Sequence, residues 1–380
     1  MIHVPKITYL VSSPFGDLAV DEDKWHLPLD GDPCKTSYRA YFSSIRDFIL
    51  HHRFRPITEP SEKKLNRSLT PEDLIELVIR SEKHGALYHP ASIEVFFEDA
   101  RVKLCLNVAV TDEGRKWLRH EASVLDLLHL KFDLPYLPRP HYSKEFNSMF
   151  FLVADWFDGY HEFHLSIDEQ GRQRLKLWDF DRGDRYLTQK QSFRLYFLIS
   201  RLLTMYYDLE SASQIYPWHH AAGDFIARIS HAPEKHLEQE TDVRLTTARG
   251  YGPQITLDNN GPYRTLIGLY HFFLCMTIRM RLDKLDGVGK VAWADDLCLV
   301  AAIKGFFEAL RFKINPGLSN SSTEDFLSVL KTFNPGEIRS SCDQILEGYA
   351  QKEEYLILKN NIDRHVQKLH ATLQSFSICP

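Results

Sequence analysis

The chain has 380 residues, 44% hydrophobic and 26% charged, with a formal net charge of -5. These are values of a globular protein with room for two lobes. The mild acidity excludes a general attraction to nucleic acid or to anionic membrane, and the longest apolar run, from Leu266 to Ile278, is too short to span a bilayer.

In chain order, residues 36–55 carry Tyr38, Tyr41, Phe42, Ile45, Phe48 and Ile49 at helical spacing, which predicts a helix. The stretch with Pro56, Pro60 and Ser61 to Arg67 reads as a loop. Thr70-Pro71-Glu72-Asp73 is a helix-start signal, so a second helix is expected to run to about Lys83. The period then shortens. Ser92–Phe97 and Val102–Val110 alternate as strands, and Glu98–Arg101 makes them a hairpin. A helix capped by Thr111 or Asp112 is predicted from Glu113 to about Leu130. Met149–Asp155 reads as a strand, and His161–Ile167 with Leu175–Phe180 as a second hairpin turning at Asp168–Gly171. From about Leu187 the chain becomes mainly helical, with expected helices near 188–209, 262–284, 290–313, 323–333, 336–349 and 352–376. Short strands at Ile226–Ile229 and Val243–Thr247 interrupt them. Strands first and helices later argue for an α+β protein.

Chemistry is concentrated in the run Pro217-Trp-His219-His220-Ala-Ala-Gly223-Asp224-Phe225, between a helical stretch and a strand. This segment resembles the catalytic loop of the aminoglycoside phosphotransferase and choline kinase group. The resemblance extends over roughly residues 84–253 and implies a bilobal protein-kinase-like fold, with a small mixed-sheet lobe and a larger, mainly helical lobe. With the helices read before it, the expected division is an added N-terminal helical segment over 1–83, a small lobe over 84–160 and a helical lobe with a hairpin insertion over 161–380. The resemblance also implies ATP and Mg2+ as cofactors, with Asp224 as the base that accepts the substrate hydroxyl proton and His220 beside it.

Carried over residue by residue, Asn107 stands where the family places its nucleotide-binding Lys, with Lys103 two pleat periods away on the same face. Glu121, in Arg119-His120-Glu121-Ala122, takes the position of the Glu that pairs with that Lys. Leu152–Gly159 resembles the hinge, which makes Asp155 and Phe157 candidates for the adenine side. Ile229 and Thr247 stand where the family has its metal ligands, and Lys83–Leu87 has one Gly where a Gly-rich loop belongs. Two functions follow: an atypical small-molecule phosphotransferase, or a catalytically inactive kinase-like module that recognises a ligand or protein in the interlobe cleft. The metal ligands, the phosphate acceptor and the oligomeric state are not readable from the sequence.

Other chemistries lack their signatures. The acids of Asp179–Asp184 fail as a calcium loop because position twelve is Lys190. There is no G-x-S-x-G turn and no basic stripe with interleaved aromatics for nucleic acid. Six scattered cysteines without a C-x-x-C pair, and an N-terminus without a basic and apolar leader, fit a reducing cytosol, so a cytoplasmic protein without a membrane segment is expected.

Overall fold

In the computed structural model, the residues described are 4–13, 16–21, 23–82, 85, 87–179, 182–220, 223–230, 241–257, 263–314 and 323–378. The chain divides into two compact units, Met1–Asp158 and Gly159–Pro380. Both mix strands and helices, so the protein is of the α+β class. Among the described residues, no helix is long and apolar enough to cross a membrane.

The first unit is built on a seven-stranded sheet. Its strands are β1 (Lys6–Val11), β2 (Leu18–Ala19), β3 (Glu76–Ser81), β4 (His89–Phe96), β5 (Arg101–Ala109), β6 (Pro140–Phe146) and β7 (Met149–Asp155), in the order β2-β1-β3-β4-β5-β7-β6. Helices α1 (Tyr38–His51), α2 (Arg55–Leu65) and α3 (Asp112–Lys131) complete it. The Tyr41, Phe42, Ile45, Phe48 and Ile49 stripe of α1 packs on the sheet face that carries Leu104, Leu106 and Val108. Phe48 stacks on Phe151 at 4.3 Å between ring centroids. The buried residues of α3, Leu118, Leu125 and Leu128 among them, lie outside that cluster, and α3 runs against β5, β6 and β7. The face of β5 with Lys103, Cys105 and Asn107 is the one left for it.

Three expectations are corrected here. The Thr70 signal does form its capping box, with the Thr70 amide donating to Asp73 Oδ2 at 2.7 Å, but the helix stops after the 3-10 turn Pro71–Asp73. Leu77 and Ile79 then bury at a period of two, and β3 pairs in parallel with β1 and antiparallel with β4. Tertiary pairing overrides a local helix start. Second, the stretch read as a loop is α2, with Pro60 inside it. The Thr58 and Ser61 hydroxyls donate back to the Phe54 and Ile57 carbonyls, and Pro56, Ile57 and Pro60 are buried. That burial offsets the backbone bond that a proline removes. Third, residues 1–83 are not a separate helical segment, because β1 and β3 belong to this sheet.

The 92–110 hairpin, the helix from Thr111 and the strand Met149–Asp155 fall where the sequence places them. Thr111 caps α3 by accepting the Gly114 amide at 3.0 Å.

The second unit has a five-stranded antiparallel sheet of β8 (His161–Ile167), β9 (Gln173–Leu177), β10 (Arg185–Tyr186), β12 (Phe225–Ile229) and β13 (Thr241–Leu245), in the order β10-β9-β8-β12-β13. Strand β11 (Ser213–Ile215) pairs with β14 (Tyr251–Pro253), and β15 (Leu282–Lys284) with β16 (Val291–Trp293). The last pair interrupts what the apolar pattern presents as two continuous helices. The helices are α4 (Gln189–Tyr206), α5 (Arg264–Arg279), α6 (Asp296–Lys313), α7 (Thr323–Thr332), α8 (Pro335–Glu347) and α9 (Tyr355–Ser375). The core of this unit is the α4–α6 pair. A side chain at Gly305 would stand 2.1 Å from the Phe197 carbonyl oxygen, so only glycine lets these helices approach this closely. The Ser200 hydroxyl crosses the same interface to the Ala302 carbonyl at 2.6 Å.

Candidate functional site

Asp224 lies in the turn that leads into β12. The turn residue Gly223 has φ +67°, and a Cβ there would stand 2.9 Å from Glu162 Oε1. Asp224 itself is only 1% exposed. Three donors hold its carboxylate. Arg249 Nη1 donates to Oδ2 at 2.7 Å and Nη2 to Oδ1 at 2.6 Å, while the His219 amide donates to Oδ2 at 2.8 Å. The Asp224 carbonyl accepts the Thr246 amide at 2.7 Å. A two-pronged guanidinium–carboxylate contact is strong and directional. It occupies both oxygens that a proton acceptor would present to a substrate.

His220 is also enclosed. Phe163, Tyr196, Trp218 and Phe225 surround its ring at centroid distances of 5.3–6.1 Å. Neither ring nitrogen has a hydrogen-bond partner, and the residue is 3% exposed. Burial pushes its pKa down to about 4, so the imidazole is neutral near pH 7. His219 is held down to about 4 by burial and by the nearby Arg279 charge. Arg279 is itself buried over the rings of Tyr216 and Trp218 and donates to the Trp218 carbonyl at 3.1 Å. Arg279 thus ends its helix as a buried charge covered by aromatic rings. Ile229 is buried on β12, and Thr247 is buried two residues beyond β13.

Sequence reasoning misses Arg249 and a second buried charge cluster. His164 Nδ1 lies 3.3 Å from Asp283 Oδ1, and its Nε2 lies 3.5 Å from Glu162 Oε2. Asp283 also accepts the Leu165 amide at 2.8 Å and the Lys284 amide at 2.7 Å. Burial opposes protonation of His164, but the two carboxylates outweigh it and raise the pKa to about 9. Asp283 is 119 residues away in sequence, so no local signal marks this pair. Arg249 lies four residues past β13 in the Ala248-Arg249-Gly250 run, a cation close after a strand end.

The remaining candidates belong to the first unit. Asn107 sits on β5 opposite Pro90 and Leu152. Lys103 on the same face pairs with Glu94 at 3.1 Å and lies 4.7 Å from the Trp156 ring centroid. Glu121 is buried on α3 and accepts the Tyr88 hydroxyl at 2.7 Å. It faces β5 closely enough for its charge, after burial and Glu82, to help push the Cys105 thiol up to about 12. Glu121 and Asn107 thus share one neighbourhood. Asp155 ends β7 and is tied to structure: His141 Nε2 at 2.9 Å, Lys64 at 3.1 Å and the Arg139 amide at 3.2 Å. Burial would raise its pKa, but His141 and Lys64 prevail and hold it well below the usual carboxylate range. Its own amide donates to the Arg139 carbonyl at 3.1 Å, so it is not open to an adenine edge. Phe157 lines a cavity of about 280 Å3 together with Asp155, His129 and Leu137.

Among the described residues, no cluster of three or more His, Cys, Asp or Glu side chains is placed to hold a metal ion. The sequence matches no protein-family model and no curated protein.

Proposed function

We propose that this chain is a kinase-like module that binds a ligand without transferring a phosphoryl group. The observation that carries this reading is the Arg249 grip on Asp224. A general base must be within hydrogen-bond reach of the proton it removes. Here the carboxylate is held by a two-pronged ion pair and a backbone amide, and the residue is only 1% exposed.

The kinase-like part is supported by the order of elements in the first unit. Strands β3, β4 and β5 form an antiparallel meander, α3 follows, and β6 and β7 add beside β5. Glu121 points from α3 to the sheet, as the likeness to that fold requires. The β12–β13 hairpin directly after Asp224 fits the same likeness. The donor set does not suit Mg2+ with ATP. Mg2+ takes hard oxygen ligands, chiefly carboxylates, and the two matching positions hold an Ile side chain and a neutral Thr hydroxyl. Asn107 replaces a phosphate-binding cation with a neutral amide.

The test is a thermal-shift titration of the full chain with ATP, with and without Mg2+, beside an assay of γ-phosphoryl release. The expected result is no Mg2+-dependent stabilisation and no turnover. A ligand at a hundredfold excess over its Kd would stabilise by roughly 2.7 kcal/mol, which such a titration detects. A Mg2+-dependent shift, together with turnover that Asp224→Asn abolishes, would restore the phosphotransferase.

A further inference from the structure

The second unit contains a cavity of about 380 Å3 where β9, the first turns of α4 and the start of α6 meet. Small-molecule sites take about 300–1,000 Å3, with apolar walls and a few placed polar groups. Leu165, Leu175 and Leu297 supply the apolar surface here.

The polar groups are sorted by sign. Arg172 and Arg174 enter from the β9 side. Arg172 Nε donates to Asp168 at 2.9 Å, and Arg174 Nη1 stands 3.6 Å from the same carboxylate oxygen. Two guanidiniums sharing one buried carboxylate leave that side with an excess positive charge. Arg174 is fixed in place, since it donates to the Leu187 carbonyl at 2.9 Å and lies over the Tyr186 ring. On the α6 side stands the carboxylate of Asp295, which caps the helix by accepting the Leu297 amide at 3.1 Å. No cation is paired with Asp295 among the described residues. Along α4, Ser192 and Tyr196 face the cavity one turn apart. Tyr196 is 4% exposed and brings a phenol to the cavity wall.

We infer that this cavity binds a small zwitterion, a free amino acid with an apolar side chain: its carboxylate toward Arg172 and Arg174, its ammonium toward Asp295, and its side chain against the three leucines. An anion alone would leave Asp295 facing it, and a cation alone would face the arginines. A ligand with both charges meets both sides, and the Tyr196 hydroxyl gains an acceptor in its carboxylate. The site lies wholly within the second unit and does not depend on Asp224, so it stands or falls separately from the proposed absence of phosphoryl transfer.

Calorimetric titration of the full chain with phenylalanine tests it, beside N-acetylphenylalanine, which lacks the ammonium, and phenylalaninamide, which lacks the carboxylate. Phenylalanine should bind, and each blocked form should bind at least about tenfold more weakly, one charge-assisted contact being lost in each. Asp295→Asn retains a good helix cap and should erase the preference for phenylalanine over its N-acetyl form. Arg174→Gln should erase the preference over the amide, with melting temperature confirming that each variant is folded. No binding of phenylalanine up to about 10 mM would overturn the assignment. So would equal binding of the blocked forms, or an unchanged preference in folded Asp295→Asn.

Discussion

Arg249 grips Asp224 with both terminal nitrogens, at 2.7 and 2.6 Å, so the residue best placed to be a base is instead half of a buried ion pair. Breaking one side of such a pair strands a charge in a poorly solvated place, at about 3–5 kcal/mol. Arg249→Met should therefore destabilise the fold by about that much. Asp224→Asn combined with Arg249→Met should cost less than the two single changes summed. Urea unfolding of the four proteins measures this coupling, and strict additivity would show that the pair is not a unit.

Stability should peak near neutral pH. For His164, the folded pKa of about 9 lies above the unfolded value of 6.5. Its contribution is fully present below pH 6.5 and is lost as pH rises toward 9. The shift corresponds to an order of 3 kcal/mol. His219 and His220 work in the other direction, with folded values of about 4, as does His365, at about 3. The unfolded chain takes up protons at these positions first, so stability falls as pH drops from 6.5. Denaturant midpoints from pH 5 to pH 9 should trace this maximum, and His164→Gln should flatten the alkaline side alone.

His220→Phe separates a structural role from a chemical one. The ring occupies an aromatic box with two unpartnered nitrogens. Exchanging a buried polar group without partners for an apolar one of similar shape is close to neutral or stabilising. The variant should lie within about 1 kcal/mol of the parent and show a shallower loss of stability in acid. A large destabilisation at pH 7 would reveal a hydrogen bond to His220.

Two glycines provide a controlled comparison. Gly171 and Gly287 have φ of +76° and +71°, so alanine at either carries a similar left-handed penalty of about 1–2 kcal/mol. Nothing lies within 4 Å of a Cβ at Gly171, whereas at Gly287 it would stand 2.9 Å from the buried His164 ring. Gly287→Ala should cost clearly more than Gly171→Ala in thermal unfolding. It should also lower the alkaline transition by disturbing the His164–Asp283 contact.

What the sequence determined by itself was local. Alternation over 92–110 and 149–155, the Thr111 cap and the helical stripe of Tyr41 to Ile49 are decided by neighbours within one or two turns, and each forms as read. Tertiary structure decided the outcome wherever distant partners compete with local preference. The capping box at Thr70 forms, yet β1 and β4 claim the residues after it, because backbone pairing and burial of Leu77 and Ile79 outweigh one helical cap. The same holds for chemistry. Asp224 is legible as a residue type in a suggestive turn, but whether its carboxylate is free depends on a guanidinium 25 positions away. The charge on His164 depends on Asp283, 119 positions away. Protonation and availability are set by burial and by the nearest opposite charge in space, and the folded chain alone brings those together.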